Sequence, residues 1–208
     1  ARAIAGVLGK GYPELAEARI ALAEQKPGAS GLVNKVPKKL QNDPGLLYER
    51  LRWRRQKNMD VEAMEILHRQ PSANQIQNPE DWWQERHILI RRLLERKMND
   101  SAYLLARQHG MKDGVAFADA EWLTGWLALR FQNSPEQAYK RFTNMYEKVS
   151  TPISKARGAY WAGRAASVQK KPADAQKWYV QAATYQTTFY GQMAGAQLVM
   201  ENPLSTAA

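Results

Sequence analysis

Basic side chains are concentrated in two short stretches of the sequence, and the chemistry open to them is the binding of anions. The first stretch places Arg50, Arg54 and Lys57 at helical spacing, and the second does the same with Arg92 and Arg96. Residues separated by four or seven positions lie on one face of an α-helix, so each stretch predicts one basic stripe. The candidate polyanion-binding residues are Arg50, Arg54, Lys57, Arg86, Arg92 and Arg96. A solvated helix face without a ligand is the simpler interpretation of the same pattern.

Glu121 is the carboxylate whose surroundings suggest acid–base chemistry. It lies between Ala120 and Trp122 in an otherwise apolar segment, and burial there raises the pKa of a carboxyl group towards the range of a general acid. A buried structural carboxylate paired with an arginine is the favoured interpretation.

No other side chains form a catalytic or metal-binding pattern. The three histidines, His68, His87 and His109, fall in different predicted hairpins and share no metal-ligand spacing. The sequence has no cysteine, which excludes thiolate ligands and nucleophiles, and it lacks serine-nucleophile signatures and glycine-rich phosphate loops. We therefore expect no catalytic residue, metal or cofactor in this chain.

Composition indicates a folded, soluble protein with a bias towards anionic partners. The 208 residues are 44% apolar and 24% charged, with a net charge of +10, so the chain can bury a core and attract anions. The long uncharged stretch of residues 179–200 carries several Gln and Thr residues, so we expect no membrane span. The first residue is Ala1 and no leader pattern follows it, so we expect the start to be a cut point.

Seven tryptophans offer flat apolar faces on which sugar rings or bases can stack. Their helical spacing among Leu and Ala residues favours a role in the core instead. They are Trp53, Trp82, Trp83, Trp122, Trp126, Trp161 and Trp178.

These side chains must be positioned by helices, because nearly every long segment has helical periodicity. Helix starts are predicted at Pro44, Pro79 and Pro135, where a capping residue precedes a proline. Residues 26–30 and 70–79 are rich in Pro, Gly and polar side chains, so they are predicted to be connections. The fold class that follows is all-α.

An internal repeat organises these helices. Ala63, Ala102, Ala138 and Ala175 recur at separations of 36 to 39 residues. A residue that favours a helix start precedes each alanine by three positions, and a packing residue follows it by four. The starting residues are Asp60, Asn99, Pro135 and Pro172, and the packing residues are Leu67, Ala106, Phe142 and Tyr179.

In the last two repeats the preceding helix carries an aromatic-x-x-Gly motif, ending at Gly125 and Gly163. We expect each glycine to allow close helix packing against the repeated alanine of the next helix. The pattern predicts a single domain over residues 1–208, an α-solenoid of about five tetratricopeptide-like helical hairpins.

Five strings of the sequence are more specific than this repeat. They are DPGLLYERLRWRR (residues 43–55), WWQERHILIRR (82–92), GVAFADAEWLTGW (114–126), KARGAYWAGRA (155–165) and WYVQAATYQTTFYGQ (178–192). Together they resemble the superhelical, non-catalytic part of soluble lytic murein transglycosylases in their α-proteobacterial form. The resemblance extends from about Glu17 to Leu198, and Gln186 stands where the family often has proline.

The resemblance implies a periplasmic protein that acts on peptidoglycan. In this family a lysozyme-like domain cleaves the MurNAc–GlcNAc bond with one glutamate and leaves a 1,6-anhydro end. That glutamate is followed by serine, and a Gly-Leu-Met-Gln-type string comes later. No glutamate of this sequence precedes a serine, and no such string occurs, so we expect the catalytic domain to lie outside this chain.

Three functions are consistent with the sequence. The first is the inert scaffold region of a lytic transglycosylase, with peptidoglycan and the enzyme's own catalytic domain, if the chain continues, as partners. The second is a helical-repeat adaptor that recruits envelope proteins without enzymatic activity. Nucleic-acid binding through the basic stripes is the weakest alternative, and we expect no nucleic-acid partner.

Overall fold

A computed structural model of the chain describes residues 9–72 and 74–201. Within these residues there are eleven α-helices, one short 3₁₀ helix and no β-strand, so the predicted all-α class is confirmed. The chain divides into two compact units, Ala1–Arg92 and Leu93–Ala208. None of the described helices is both long enough and apolar enough to cross a membrane.

The first unit contains four α-helices and most of a fifth. They are α1 (Tyr12–Ala23), α2 (Ala29–Lys35), α3 (Pro44–Gln56), α4 (Asp60–His68) and α5 (Pro79–Glu95), with the 3₁₀ helix at Lys38–Leu40. Helix α1 packs on α2 and α3, and α3 packs on α4. The apolar core here includes Leu15, Leu22, Val33 and Leu46.

The second unit contains the remaining helices and the last residues of α5. They are α6 (Asn99–Ala106), α7 (Gly114–Phe131), α8 (Pro135–Lys148), α9 (Pro152–Val168), α10 (Pro172–Ala183) and α11 (Phe189–Glu201). Each of these helices packs on the next, and α9 also contacts α7 and α11. This succession of paired helices is helical-repeat-like.

The three predicted helix starts are confirmed, because α3, α5 and α8 begin at Pro44, Pro79 and Pro135. At α3 the Asp43 carboxylate accepts a hydrogen bond from the Leu46 N–H at 2.9 Å, which satisfies one free donor of the first turn. Ser134 makes no such side-chain bond at α8. The first predicted connection is shorter than expected because α2 begins at Ala29.

The repeat also recurs in three dimensions. All four repeated alanines are at most 2% exposed, and their helices begin at the residues expected, Asp60, Asn99, Pro135 and Pro172. The four packing residues that follow the alanines are buried as well. These parts of the repeat prediction are confirmed.

The same left-handed turn precedes each of these four helices. Asn58, Lys97, Asn133 and Lys170 have positive φ angles of 48° to 60°, and each lies two residues before a helix start. The N–H of the residue that follows each turn bonds back to a carbonyl of the preceding helix, as Lys171 does to Ala166 at 3.0 Å. This helix ending normally favours glycine, so the sequence did not reveal it.

Gly125 and Gly163 are notches for aromatic rings. A β-carbon on Gly125 would lie 2.6 Å from the Phe142 ring, and one on Gly163 would lie 2.7 Å from the Tyr179 ring. The close helix packing that we expected is therefore present, but each glycine packs against an aromatic ring and not against the repeated alanine. The aromatic residue four positions after the repeated alanine fills the space, because its ring is long enough to reach the glycine.

Candidate anion-binding cleft

The first unit contains a cleft of about 520 Å³ between helices α3 and α4 and the segment that follows α4. Three arginines line it: Arg50 and Arg54 from α3, and Arg69 from just beyond the end of α4. Glu65 is the one carboxylate among its lining residues. The cleft therefore has three guanidinium groups and one carboxylate. This excess of positive charge attracts anions.

Helix geometry brings the two α3 arginines to the same wall. Arg50 and Arg54 are four residues apart, so they lie one turn apart on one face. Arg54 is held by a hydrogen bond from its Nη1 to the Glu62 backbone oxygen at 2.7 Å. Arg50 is half-buried, and burial together with the neighbouring Arg54 charge lowers its pKa. A bound anion would favour the charged form of Arg50.

The other predicted basic residues lie elsewhere. Lys57 and Arg96 are exposed, and neither lines this cleft. Arg96 belongs to the second unit. Arg92 forms an ion pair with Asp60 and donates to the Arg55 backbone oxygen.

Arg86 is buried, only 1% exposed. Its guanidinium donates to Gln70 Oε1 at 2.6 Å, and burial lowers its pKa to about 10. Arg86 and Arg92 therefore bind polar groups within the first unit. Polyanion binding by the other four candidates stays a prediction; they are Arg50, Arg54, Lys57 and Arg96.

Sequence reasoning missed Arg69, the third arginine of the cleft. It lies outside both basic stretches and follows the last residue of α4. The one local signal for Arg69 was that it follows Glu65 by four positions, which places the two side chains on one side of α4. That spacing says nothing about Arg50 or Arg54, because the packing of α3 on α4 decides which residues share the cleft.

A second cleft in the same unit, of about 300 Å³, has mixed charge. Arg19 lines it together with the carboxylates of Asp43, Glu49 and Asp81. Burial raises the pKa of Glu49 although nearby arginines oppose the shift. The excess of carboxylates makes this cleft a poor site for anions.

Glu121 belongs to a buried polar cluster of the second unit. The residue is 2% exposed, and its Oε1 lies 2.8 Å from Arg141 Nη1 and 2.9 Å from His109 Nε2. The other imidazole nitrogen, His109 Nδ1, accepts a hydrogen bond from the Met111 N–H at 3.0 Å. Since Nδ1 is an acceptor, Nε2 carries the proton and donates to the carboxylate.

This geometry confirms the structural interpretation of Glu121. Burial alone would raise the pKa of its carboxyl, but the hydrogen bond from His109 and the charge of Arg141 outweigh burial, and the pKa is lowered. A carboxyl that is already ionised near neutral pH does not donate a proton as a general acid.

The remaining candidates from the sequence are two histidines, His68 and His87, and the seven tryptophans. His87 stacks on Trp83 with 5.6 Å between ring centroids, and His68 is the exposed last residue of α4. Across the described residues no group of three metal-ligating side chains comes together. Trp82 and Trp83 are 4% exposed, and the other five tryptophans are half-buried. The favoured core role is confirmed for Trp82 and Trp83, which are buried, and for the other five, which pack against apolar core clusters.

Comparison of the chain with protein-family models, with curated proteins and with solved structures returns no match. The resemblance to lytic transglycosylases therefore depends on the five sequence strings.

Proposed function

We propose that this chain is the superhelical, non-catalytic scaffold region of a periplasmic peptidoglycan lytic transglycosylase, and that it binds peptidoglycan. The observation that carries the binding part is the cleft in which Arg50, Arg54 and Arg69 converge. The five strings of the sequence support the choice of family and, through it, the periplasmic location.

The ligand groups that fit this cleft are the carboxylates of peptidoglycan stem peptides. A guanidinium binds a carboxylate through two parallel N–H···O bonds, which makes arginine the preferred cation for such a group. The cleft is open and holds several arginines, so it suits a repeated, flexible, carboxylate-bearing polymer.

The α-solenoid belongs to the same proposal. In the second unit it is supported by the pairing of α7 with α8 and of α9 with α10, and by the contacts of α9 with α7 and α11. The recurring left-handed turns before α4, α6, α8 and α10 support a common hairpin unit. Stacked hairpins offer an extended surface for a polymer.

The chain by itself is proposed to be inactive. Glycan cleavage with one carboxylate requires an acid of raised pKa beside the scissile bond. Glu121, the carboxylate that the sequence suggested for this role, is buried, ion-paired and of lowered pKa. The bond cleavage is assigned to the lysozyme-like domain of the family.

A sedimentation assay with isolated sacculi tests this function. We expect the chain to co-sediment at low salt and to be released at high salt, because salt screens exposed charges. The Arg50→Gln/Arg54→Gln double variant should bind more weakly. Lys38→Gln/Lys39→Gln is the matched control, since it removes two exposed charges of the same unit outside the cleft.

Three results would contradict the proposal. If the chain shows no salt-sensitive binding to sacculi, peptidoglycan is not its ligand. Equal weakening by both double variants assigns the binding to overall charge and not to the cleft. Release of anhydro-muropeptides from sacculi by this chain alone would show that it is catalytic.

A further inference from the structure

Three apolar side chains project into solvent from the starts of alternate helices in the second unit. They are Val115 on α7, Ile153 on α9 and Phe189 on α11, and they are 84%, 69% and 68% exposed. Each lies in the first turn of its helix, where side chains tilt towards the N-terminal end and project beyond it. These helix starts, with the connections and helix ends beside them, are called the apolar edge below; it comprises residues 107–115, 147–155 and 184–189.

The packing of the helices places these starts on one side of the unit. Helices α7 to α11 each pack on the next, and connections of three to five residues join them. Helices joined in this way run antiparallel, so α7, α9 and α11 run in one direction. A contact agrees with this arrangement. The Nζ atom of Lys148, the last residue of α8, lies 5.2 Å from the ring centroid of Phe117, near the start of α7.

Helices α7 and α9 start at the same level. Trp122 is the ninth residue of α7 and Trp161 is the tenth residue of α9, and their ring centroids are 6.1 Å apart. Val115 and Ile153 are the second residues of these two helices. The two apolar side chains therefore project to about the same height.

Phe189 is set back from the other two side chains. The ring of Tyr190, the next residue, lies 5.5 Å from the ring of Tyr160, and Tyr160 is in the middle of α9. The start of α11 is therefore displaced along the axis of α9. Three projecting points always share one plane, so a flat surface that is tilted relative to the helices can contact all three side chains.

The helices that start at the apolar edge differ in charge from the helices that run the other way. Helices α6, α8 and α10 each have an acidic residue in the first turn, as the helix dipole favours; these residues are Asp100, Glu136 and Asp174. The first turns of α7, α9 and α11 all lie in the described part of the chain, and they contain no acidic residue. An anionic surface would therefore meet no carboxylate in these three turns.

The net charge of the apolar edge is positive. It contains four basic side chains, of Arg107, Lys112, Lys148 and Lys155, and two carboxylates, of Asp113 and Glu147. Lys112 and Lys148 are exposed, and both lie beside the start of α7. Basic residues next to exposed apolar side chains bind anionic membranes, because the ammonium groups attract lipid headgroups while the apolar groups leave water.

A lipid bilayer fits this edge better than a protein partner does. The three apolar side chains are on separate helices, and polar residues such as Thr151 and Gln186 lie in the connections between these helices. Protein interfaces depend on a compact cluster of large side chains that is shielded from water. The boundary between headgroups and acyl chains is fluid, so it accepts separate apolar side chains without a matching shape.

We infer that the apolar edge is a peripheral membrane-binding surface whose partner is a bilayer that contains anionic phospholipids. Val115, Ile153 and Phe189 enter the boundary between headgroups and acyl chains, and Lys112 and Lys148 contact lipid phosphates. The inference goes beyond the proposed function and does not depend on it, because the arginine cleft lies in the first unit and the apolar edge in the second.

The test measures co-sedimentation of the whole chain with vesicles. One set of vesicles is phosphatidylcholine alone, and the other is an equal mixture of phosphatidylcholine and phosphatidylglycerol. We expect binding to the mixed vesicles and much weaker binding to phosphatidylcholine alone. Ile153→Glu should weaken binding to the mixed vesicles about tenfold, since it removes one apolar contact and adds a carboxylate beside anionic lipid.

The matched control is Val168→Glu, which makes the same change at an exposed residue at the other end of α9. It should leave binding unchanged. Because Ile153 and Val168 are both exposed, both variants should retain the fold, and circular dichroism checks this.

A second pair of variants tests the charge of the edge. Lys112→Gln/Lys148→Gln should reduce binding to the mixed vesicles about tenfold, because two ammonium groups near the headgroups are lost. Lys170→Gln/Lys171→Gln is its control, since both lysines are exposed and lie in the connection that follows the other end of α9. This control should reduce binding much less.

Three results would overturn the inference. The first is equal binding to both kinds of vesicle. The second is binding to the mixed vesicles that neither Ile153→Glu nor Lys112→Gln/Lys148→Gln weakens more than its control does. The third is the absence of vesicle binding together with a dimer, seen by analytical ultracentrifugation, that Ile153→Glu abolishes, since this would assign the edge to a second copy of the chain.

The two proposals fail separately. Ile153→Glu should bind sacculi as well as the unchanged chain does, because the cleft lies in the first unit. Binding of sacculi without binding of vesicles overturns the membrane surface and leaves the proposed function standing. Binding of the mixed vesicles without binding of sacculi supports the membrane surface and contradicts the proposed function.

Discussion

The interiors of the two units are built from different interactions. In the first unit Arg55 binds Glu85 through two hydrogen bonds of 2.6 and 2.7 Å, Arg92 pairs with Asp60, and Arg86 is fully buried. In the second unit aromatic rings fill glycine notches, as Phe142 does at Gly125. Its buried ionic group is the cluster around Glu121.

The difference shows that one helical pattern tolerates two ways of fixing helices. Ion pairs orient helices only while both partners are present, since removing one leaves a buried charge. Ring-in-notch packing depends on shape and is sensitive to added volume. The first unit should therefore respond most to charge removal, and the second to small additions of side-chain volume.

The largest effect is expected from Glu85→Gln. Arg55 is only 17% exposed, and loss of the paired carboxylate should lower the free energy of unfolding by about 3 kcal/mol. Urea denaturation measures this loss. The Arg55→Met/Glu85→Leu double variant should lose less than Glu85→Gln, because it leaves no unpaired charge. A double variant that is less stable than the single one would contradict this view of the first unit.

In the second unit Gly163→Ala should cost about 2 kcal/mol, since its β-carbon would lie 2.7 Å from the Tyr179 ring. The control is Gly195→Ala on α11, where no atom lies within 4 Å of the new β-carbon. This control should be neutral or slightly stabilising. Adding Tyr179→Leu should recover part of the loss. Equal stability of Gly163→Ala and Gly195→Ala in urea denaturation would exclude the notch.

A smaller effect separates two helix starts that look alike in the sequence. Asp43→Ala should lower the free energy of unfolding by about 1 kcal/mol, because the Asp43 carboxylate caps α3. Ser134→Ala should change it little, because Ser134 makes no capping bond. Thermal unfolding of both variants gives the comparison. A loss in Ser134→Ala as large as in Asp43→Ala would mean that both residues cap their helices.

A pH-dependent effect is expected from Glu121, a buried ionic group of the second unit. Its pKa is lowered by His109 and Arg141 against the effect of burial, so the unfolded chain binds this proton more readily than the folded one. The resulting stabilisation is present above the unfolded carboxyl pKa of about 4.3 and is lost as pH falls through the folded pKa.

Comparison with Glu121→Gln measures this contribution. The difference in unfolding free energy between the two proteins should be constant from pH 7 to about pH 5 and should shrink below the carboxyl pKa of about 4.3. Urea denaturation at a series of pH values gives the difference. A difference that grows on acidification would mean that the folded pKa is raised.

Helix starts and repeated small residues were predictable because their signals are local. Proline at the first position marks α8 whatever lies beside it, and Ala138 is buried as its spacing indicated. The candidate site was predictable only in part. Arg50 and Arg54 share a cleft as their spacing suggested, but Arg86 is buried and Arg69 was missed, because neither fate is set by the helix that carries the residue.

The all-α class, the main helix starts and the burial of the repeated alanines follow from local patterns in the sequence, since backbone hydrogen bonding and periodicity act over a few residues. Which arginines line a cleft, which arginines form internal ion pairs, where each aromatic ring packs and which tryptophans are fully buried all depend on the tertiary structure. The burial of a long side chain depends on helices that are distant in the sequence, and their approach is set by packing across the whole unit.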